Sequence, residues 1–299
     1  MPDPFEALRT APTPIDPDPA FAARLRARLA RALQPDTGES SMTLQTAETT
    51  NQVRQGDISY LSLWVPDLER AARFYADVLG WRFPATQDWW TRVVEGQSMA
   101  LGLSQLSGTA QYMRSVEGVP LPETLTPTAY VVFVVDDVDA AVERVRAAGG
   151  YVGGVKDQPY GRIAACMDNQ SMAFSLQQKM PMPRPATTGA RHGDPAYIVF
   201  EFPDAARAHA FYGSVLGVRF EPGRGPDAWN VPDVAPMSGL SGGAQRTTVV
   251  PMFRVDDIQT AVERVRAAGG TASEPRHEGY GIRAECADDQ GVRFHLGQL

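Results

Sequence analysis

A chain of 299 residues with a net charge of −7, a pI near 5.2 and 43% hydrophobic residues has the length of two ordinary domains and a charge that disfavours nucleic acid and anionic membranes. No apolar run approaches the ~18 residues of a membrane span, no charged and then apolar leader opens the chain, and two cysteines, Cys166 and Cys286, are too few for a disulfide framework. The expected setting is the cytoplasm, with neither nucleic acid nor membrane as partner.

Residues 1–55 read as an extension. Within them DPDPAFAARLRARLARAL places Asp18 as a cap and Pro19 at the first helical position, and Phe21, Leu25, Leu29 and Leu33 fall on one face. This predicts an amphipathic helix over 19–33 that docks on its own domain or on the partner in a homodimer. Residues 36–55 read as a linker.

From residue 58 onward the chain repeats itself. An apolar strand, an Asp-containing turn and an amphipathic helix with a glycine stop occupy 58–80 and return at 130–150. On a larger scale, VPDLERAARFYADVLGWRF at 65–83 matches FPDAARAHAFYGSVLGVRF at 202–220, an offset of 137. VERVRAAGG occurs as Val142 to Gly150 and again as Val262 to Gly270, an offset of 120. Each copy closes with two strands around a polar turn, GRIAACMDNQSMAFSLQ and GIRAECADDQGVRFHLG. The reading is therefore two tandem domains, 56–178 and 194–299, joined by a linker at 179–193. The smaller second offset leaves about seventeen extra residues in the first copy, in or near 106–129. That segment, with Tyr112 and Met113, is either a lid over a first cavity or a plain surface loop.

Strand, (V/F)PD, helix ending in FY and VLG, then strand, VDD, helix ending in AAGG resembles the vicinal oxygen chelate superfamily. This is the group of glyoxalase I, extradiol dioxygenases and bleomycin-binding resistance proteins. The resemblance implies an α+β fold of two tandem glyoxalase-like domains, each a pair of βαβββ modules forming a cup-shaped mixed sheet. It also implies where a metal would be held: by a His seven residues before each turn Asp, and by a Glu in the last strand of a unit. Here those first-strand positions carry Tyr60, Tyr130, Tyr197 and Val250, and the closing strands carry Ser175 and His295, with small or apolar residues near Gly102 and Gly239. Phenols, a Ser and a Val suit a divalent ion poorly, since such ions take carboxylate or imidazole donors. No cofactor is expected, and a divalent metal is disfavoured.

Two constellations remain. Glu285 and His295 flank the turn ADDQG as cross-strand partners, an arrangement that serves either as an ordinary ion pair or as an acid–base couple in which the carboxylate raises the imidazole pKa. The aromatics Tyr60, Trp64, Trp89, Trp90, Tyr112, Tyr130 and Phe174, with Tyr197, Trp229 and Tyr280 in the second copy, and Ser175 beside them, suit a pocket for a flat, partly apolar ligand. Cys166 and Cys286 read as buried structural thiols. The favoured function is metal-independent binding of a small aromatic or hydrophobic metabolite or antibiotic. The alternative is an enzyme of lyase, isomerase or dioxygenase type that uses Glu285 and His295, or an atypical metal site in the second domain. In a third arrangement one domain is purely structural.

Overall fold

The computed structural model describes residues 52–84 and 90–299. The predicted helix over 19–33 and Trp89 lie outside the described residues. The first domain runs β1 (Ile58–Val65), α1 (Leu68–Leu79), β2 (Thr91–Val93), β3 (Ala100–Gln105), α2 (Leu106–Ser115), β4 (Thr128–Val135), α3 (Val138–Ala147), β5 (Tyr151–Gln158), β6 (Gly161–Met167) and β7 (Ala173–Gln178). The second runs β8 (Pro195–Glu201), α4 (Ala205–Leu216), β9 (Glu221–Pro222), β10 (Ala228–Val231), β11 (Ser238–Ser241), β12 (Thr248–Arg254), α5 (Ile258–Ala267), β13 (Thr271–Ala272), β14 (Arg276–Glu278), β15 (Gly281–Ala287) and β16 (Arg293–Gln298). The described residues contain no helix long and apolar enough to cross a membrane.

Each of the four repeated helices starts in the same way. Asp67, Asp137, Asp204 and Asp257 stand in extended conformation at the N-cap, and each side chain accepts from the backbone N–H three residues on. That bond satisfies one of the donors a helix start leaves open. Gly80 and Gly217 stop α1 and α4 in the left-handed conformation, with φ of 65° and 64°.

The strands form one mixed sheet per domain. In the first the order is β2-β3-β1-β4-β7-β6-β5, and in the second it is β13-β15-β16-β12-β8-β11-β10-β9, with β14 on β15. The unit-opening strands pair antiparallel with each other, β1 with β4 and β8 with β12, and each pairs parallel with the last strand of its own unit. Because side chains alternate along a strand, every central strand has a helix face and an opposite, concave face. On β1, Leu61, Leu63 and Val65 join the main core, while Tyr60, Ser62 and Trp64 face the concavity. The second sheet curls far enough for its edges to meet, since Arg224, in the β9–β10 turn, reaches Glu278 of β14 at 3.2 Å.

The helices of both domains pack on one another, α1 on α5 and α3 on α4, so a single core runs through both. The contacts are reciprocal. Tyr75 of α1 donates to Asp288 in the second domain at 3.1 Å, and Tyr212 of α4 donates to Asp168 in the first at 2.8 Å. Gln290 makes paired bonds with the backbone of Asp67, and Gln170 does the same with Asp204. Buried Asp57 accepts from Ala235 N across the interface, as buried Asp194 does from Ser98 N. These are the contacts of an isologous dimer written into one chain. They account for the FY and AAGG motifs: a Cβ on Gly150 would lie 2.8 Å from the Phe211 ring, and one on Gly270 would lie 3.0 Å from Phe74. The left-handed stop of each AAGG helix is the preceding glycine, Gly149 or Gly269.

Candidate functional site

The two concave faces were inherited from one ancestor and now differ. In the first, Trp64 and Tyr130 stack with centroids 4.9 Å apart and planes 15° apart. The Tyr130 hydroxyl lies 2.6 Å from Ser175 Oγ, and burial holds this phenol far above the usual tyrosine range. The extra segment fills the rest: Ala110 and Met113 of α2, with Val119 and Leu121 beyond it, bury themselves against Trp64 and Ala165. The segment is neither a lid nor a surface loop but a plug. It is fastened at β5, where Gly154 N donates to Glu117 O at 2.8 Å, Lys156 Nζ meets Glu117 Oε1 at 2.9 Å, and the same ammonium sits 5.7 Å from the Tyr112 ring centre. Gly153 lets the plug backbone pass, because a Cβ there would collide with Glu117 O. The second copy has Ser273 and Glu274 at the positions of Gly153 and Gly154, and no insertion.

The second concave face is polar. Glu201 and Arg293 form a bidentate pair at 2.5 and 3.0 Å, where the first domain has Trp64 and Ala173. Arg283 binds Glu285 at 3.1 Å. Tyr197 donates to Asn230 Oδ1 at 3.0 Å, and burial pushes its phenol up to about 12. His295 stands opposite Glu285 in register, as predicted, and opposite Met252 on β12. It is only 8% exposed and makes no hydrogen bond to any described residue. Glu285 does act to raise the imidazole pKa, as expected, but it is outweighed. Burial first, then the Arg283 cation, push the imidazole down to about 4, and Glu285 opposes them only in part because its carboxylate is exposed and engaged by Arg283. The side chain is neutral at pH 7.

The other sequence candidates divide. Tyr60 and Tyr197 take equivalent places, each hydroxyl lying over a glycine of the neighbouring parallel strand, Gly102 or Gly239, where any Cβ would collide with it. Trp90 tilts against Tyr112, with ring centres 5.5 Å apart, and the Tyr112 phenol is raised to about 12 by its bond to Glu117. Tyr280 is exposed at the rim, 5.5 Å below the Arg224 guanidinium. Two candidates are corrected. Phe174 lies on the helix face, fully buried against Phe133, Phe211 and Tyr212, and cannot touch a ligand. Trp229 also points to the helix side, stacked 4.4 Å from His209. Both errors are of strand parity. The sequence reading missed Glu201, Asn230, Arg283 and Arg293, although comparing the copies position by position would have found three: Glu201 answers Trp64, Arg283 answers Ile163 and Arg293 answers Ala173.

The family's metal positions do not fit a divalent ion in either domain. The first offers two phenols raised by burial, a glycine and a serine; the second offers one such phenol, a glycine, a valine and His295. A raised phenol resists forming the phenolate a metal needs, and no group of three His, Cys, Asp or Glu converges among the described residues. Both thiols, Cys166 and Cys286, are buried and raised to about 12, so neither is a ready nucleophile.

Residues 57–171 match the model of the Glyoxalase/Bleomycin resistance protein/Dioxygenase superfamily, and residues 197–297 that of the Glyoxalase-like domain. The chain carries two tandem domains of this superfamily. Among similar proteins, the anthracycline biosynthesis protein DauV of Streptomyces sp. (strain C5) is 26% identical over 260 residues, 82% of this chain and 94% of that one. The Mn(II)-bound glyoxalase of Novosphingobium aromaticivorans superposes with a TM-score of 0.58 at 18% identity, covering 83% of each chain. The 2,3-dioxygenase LapB of Pseudomonas sp. KL28 superposes with a TM-score of 0.56 at 13% identity, covering 83% of this chain and 93% of its own. At these identities the structural likeness speaks for the glyoxalase-superfamily fold. The donor sets above are this chain's own.

Proposed function

We propose that this superfamily member binds a small, flat, oxygenated organic molecule without a metal, on the concave face of its second domain. The observation that carries the reading is His295: neutral, nine-tenths buried and without a hydrogen bond to any described residue, on a face that also presents Tyr197, Asn230 and two arginine–glutamate pairs. The ring is largely buried but its nitrogens still open onto the recess, and a ligand hydroxyl or carbonyl can take the place of solvent on them. Val250 and Met252 on β12 give the same face an apolar floor. The name of DauV, an anthracycline biosynthesis protein, is in keeping with a flat, oxygenated ligand.

The test is calorimetric titration of the full chain with a dihydroxyanthraquinone, with and without EDTA. The expected result is binding that EDTA leaves unchanged and that His295→Ala weakens about tenfold, the equivalent of about 1.4 kcal/mol. Binding that EDTA abolishes would overturn the metal-free reading. A second reading, proton transfer by His295 in an enzyme, is favoured by one feature: an imidazole already neutral at pH 7 can accept a proton from a bound acid. Turnover lost in His295→Gln with affinity retained would establish it.

A further inference from the structure

We infer that the first domain keeps a binding site for a flat aromatic molecule, and that residues 106–127 are its intramolecular competitor. Three observations point to this. The floor of the site is a ready stacking platform, Trp64 on Tyr130, edged by the hydrogen-bonded pair of Tyr130 and Ser175 hydroxyls, so it offers a broad apolar surface with one polar corner. A flat ligand with a single hydroxyl or carbonyl edge matches that surface.

The plug, in turn, is a tenant rather than part of the frame. Its apolar residues Ala110, Met113, Val119 and Leu121 form a cluster with Trp64 and Ala165 that is separate from the main core shared by both domains. Undocking it therefore leaves the helix faces and the domain interface untouched. The second domain closes the same strand order with the hexapeptide Gly242–Thr247 between β11 and β12, so the sheet does not need the insertion. Finally, the fastening is polar and peripheral. It consists of Lys156 with Glu117 and Tyr112 and of the Gly154 N–H on Glu117 O, whereas Arg114 on the backbone carbonyls of Leu121 and Glu123 ties the plug only to itself. Docking also leaves Thr109 Oγ1 buried without a partner among the described residues. Such a strap holds by local contacts that a better-fitting aromatic ring can replace.

The inference does not depend on the second-domain reading, and one experiment separates them. In a chain whose residues 106–127 are replaced by the hexapeptide of Gly242–Thr247, titration with the dihydroxyanthraquinone gains one site per chain over the parent. Trp64→Ala in that shortened chain removes the added site, whereas His295→Ala leaves it in place. In the full-length chain, Lys156→Met loosens the strap, and saturating probe then speeds amide hydrogen exchange over residues 109–119 at least tenfold. A shortened chain that is folded by near-ultraviolet circular dichroism yet gains no site overturns the inference. Should the shortened chain not fold, unchanged exchange over 109–119 in probe-saturated Lys156→Met overturns it equally.

Discussion

The two concave faces share strand order and register and are opposite in chemistry. Where the first sets Trp64, Ala165, Ala173 and Ser175, the second sets Glu201, Glu285, Arg293 and His295. The convex sides, by contrast, have stayed alike, down to the tyrosine–aspartate bond each domain receives from the other. The duplicated surface had to remain complementary to itself, because every change on one helix face is felt by its counterpart. The cavities carried no such constraint and diverged, one into an apolar seat for the chain's own segment and one into a charged recess.

The largest test of that contrast is truncation of equivalent residues. Trp64→Ala is expected to cost about 3–5 kcal/mol in urea unfolding, since it empties the centre of the first cluster. Glu201→Ala, at the matching place, is expected to cost about 1 kcal/mol, because it ends only a partly exposed ion pair. Equal costs would mean that the two faces are not differently built.

Next comes pH. His295 titrates near 6.5 when unfolded and near 4 when folded, so the unfolded chain takes up the proton first. Its contribution is fully present above pH 6.5 and is lost as the pH falls through 4, by up to roughly 3 kcal/mol. Stability of the parent should therefore drop between pH 6.5 and 4 more steeply than that of His295→Gln. Ser175, its first-domain equivalent, has no such dependence. Parallel stability profiles for the parent and His295→Gln would show that the imidazole is not held neutral.

The smallest effect concerns what the copies still share. Gly150→Ala and Gly270→Ala each force a methyl group against the other domain's phenylalanine and a backbone carbonyl, at an expected cost of about 1–3 kcal/mol apiece. The two costs should agree within about 1 kcal/mol. A large asymmetry in thermal unfolding would argue that only one half of the interface is tightly packed.

Much of this was legible beforehand for local reasons. Asp caps, glycine stops and strand alternation are short-range signals, and their recurrence at offsets of 137 and 120 fixed the repeat and the register that pairs Glu285 with His295. Phe174 and Trp229 were misplaced because a one-residue error of parity sends a strand side chain to the other face, and aromatic composition gives no hint of which. The plug was unreadable in a different way. Its residues alternate too weakly to show where they will dock, and the cavity that receives them is assembled from strands up to about seventy residues away.

The chain by itself thus determined the tandem fold and the replacement of metal-binding side chains by phenols and small residues, because those are matters of residue type at counted positions. Tertiary structure alone decided that VERVRAAGG marks an interface between the copies, that the insertion fills the first cavity, and that His295 is held neutral. Each of these depends on burial, and burial belongs to elements brought together from distant parts of the sequence.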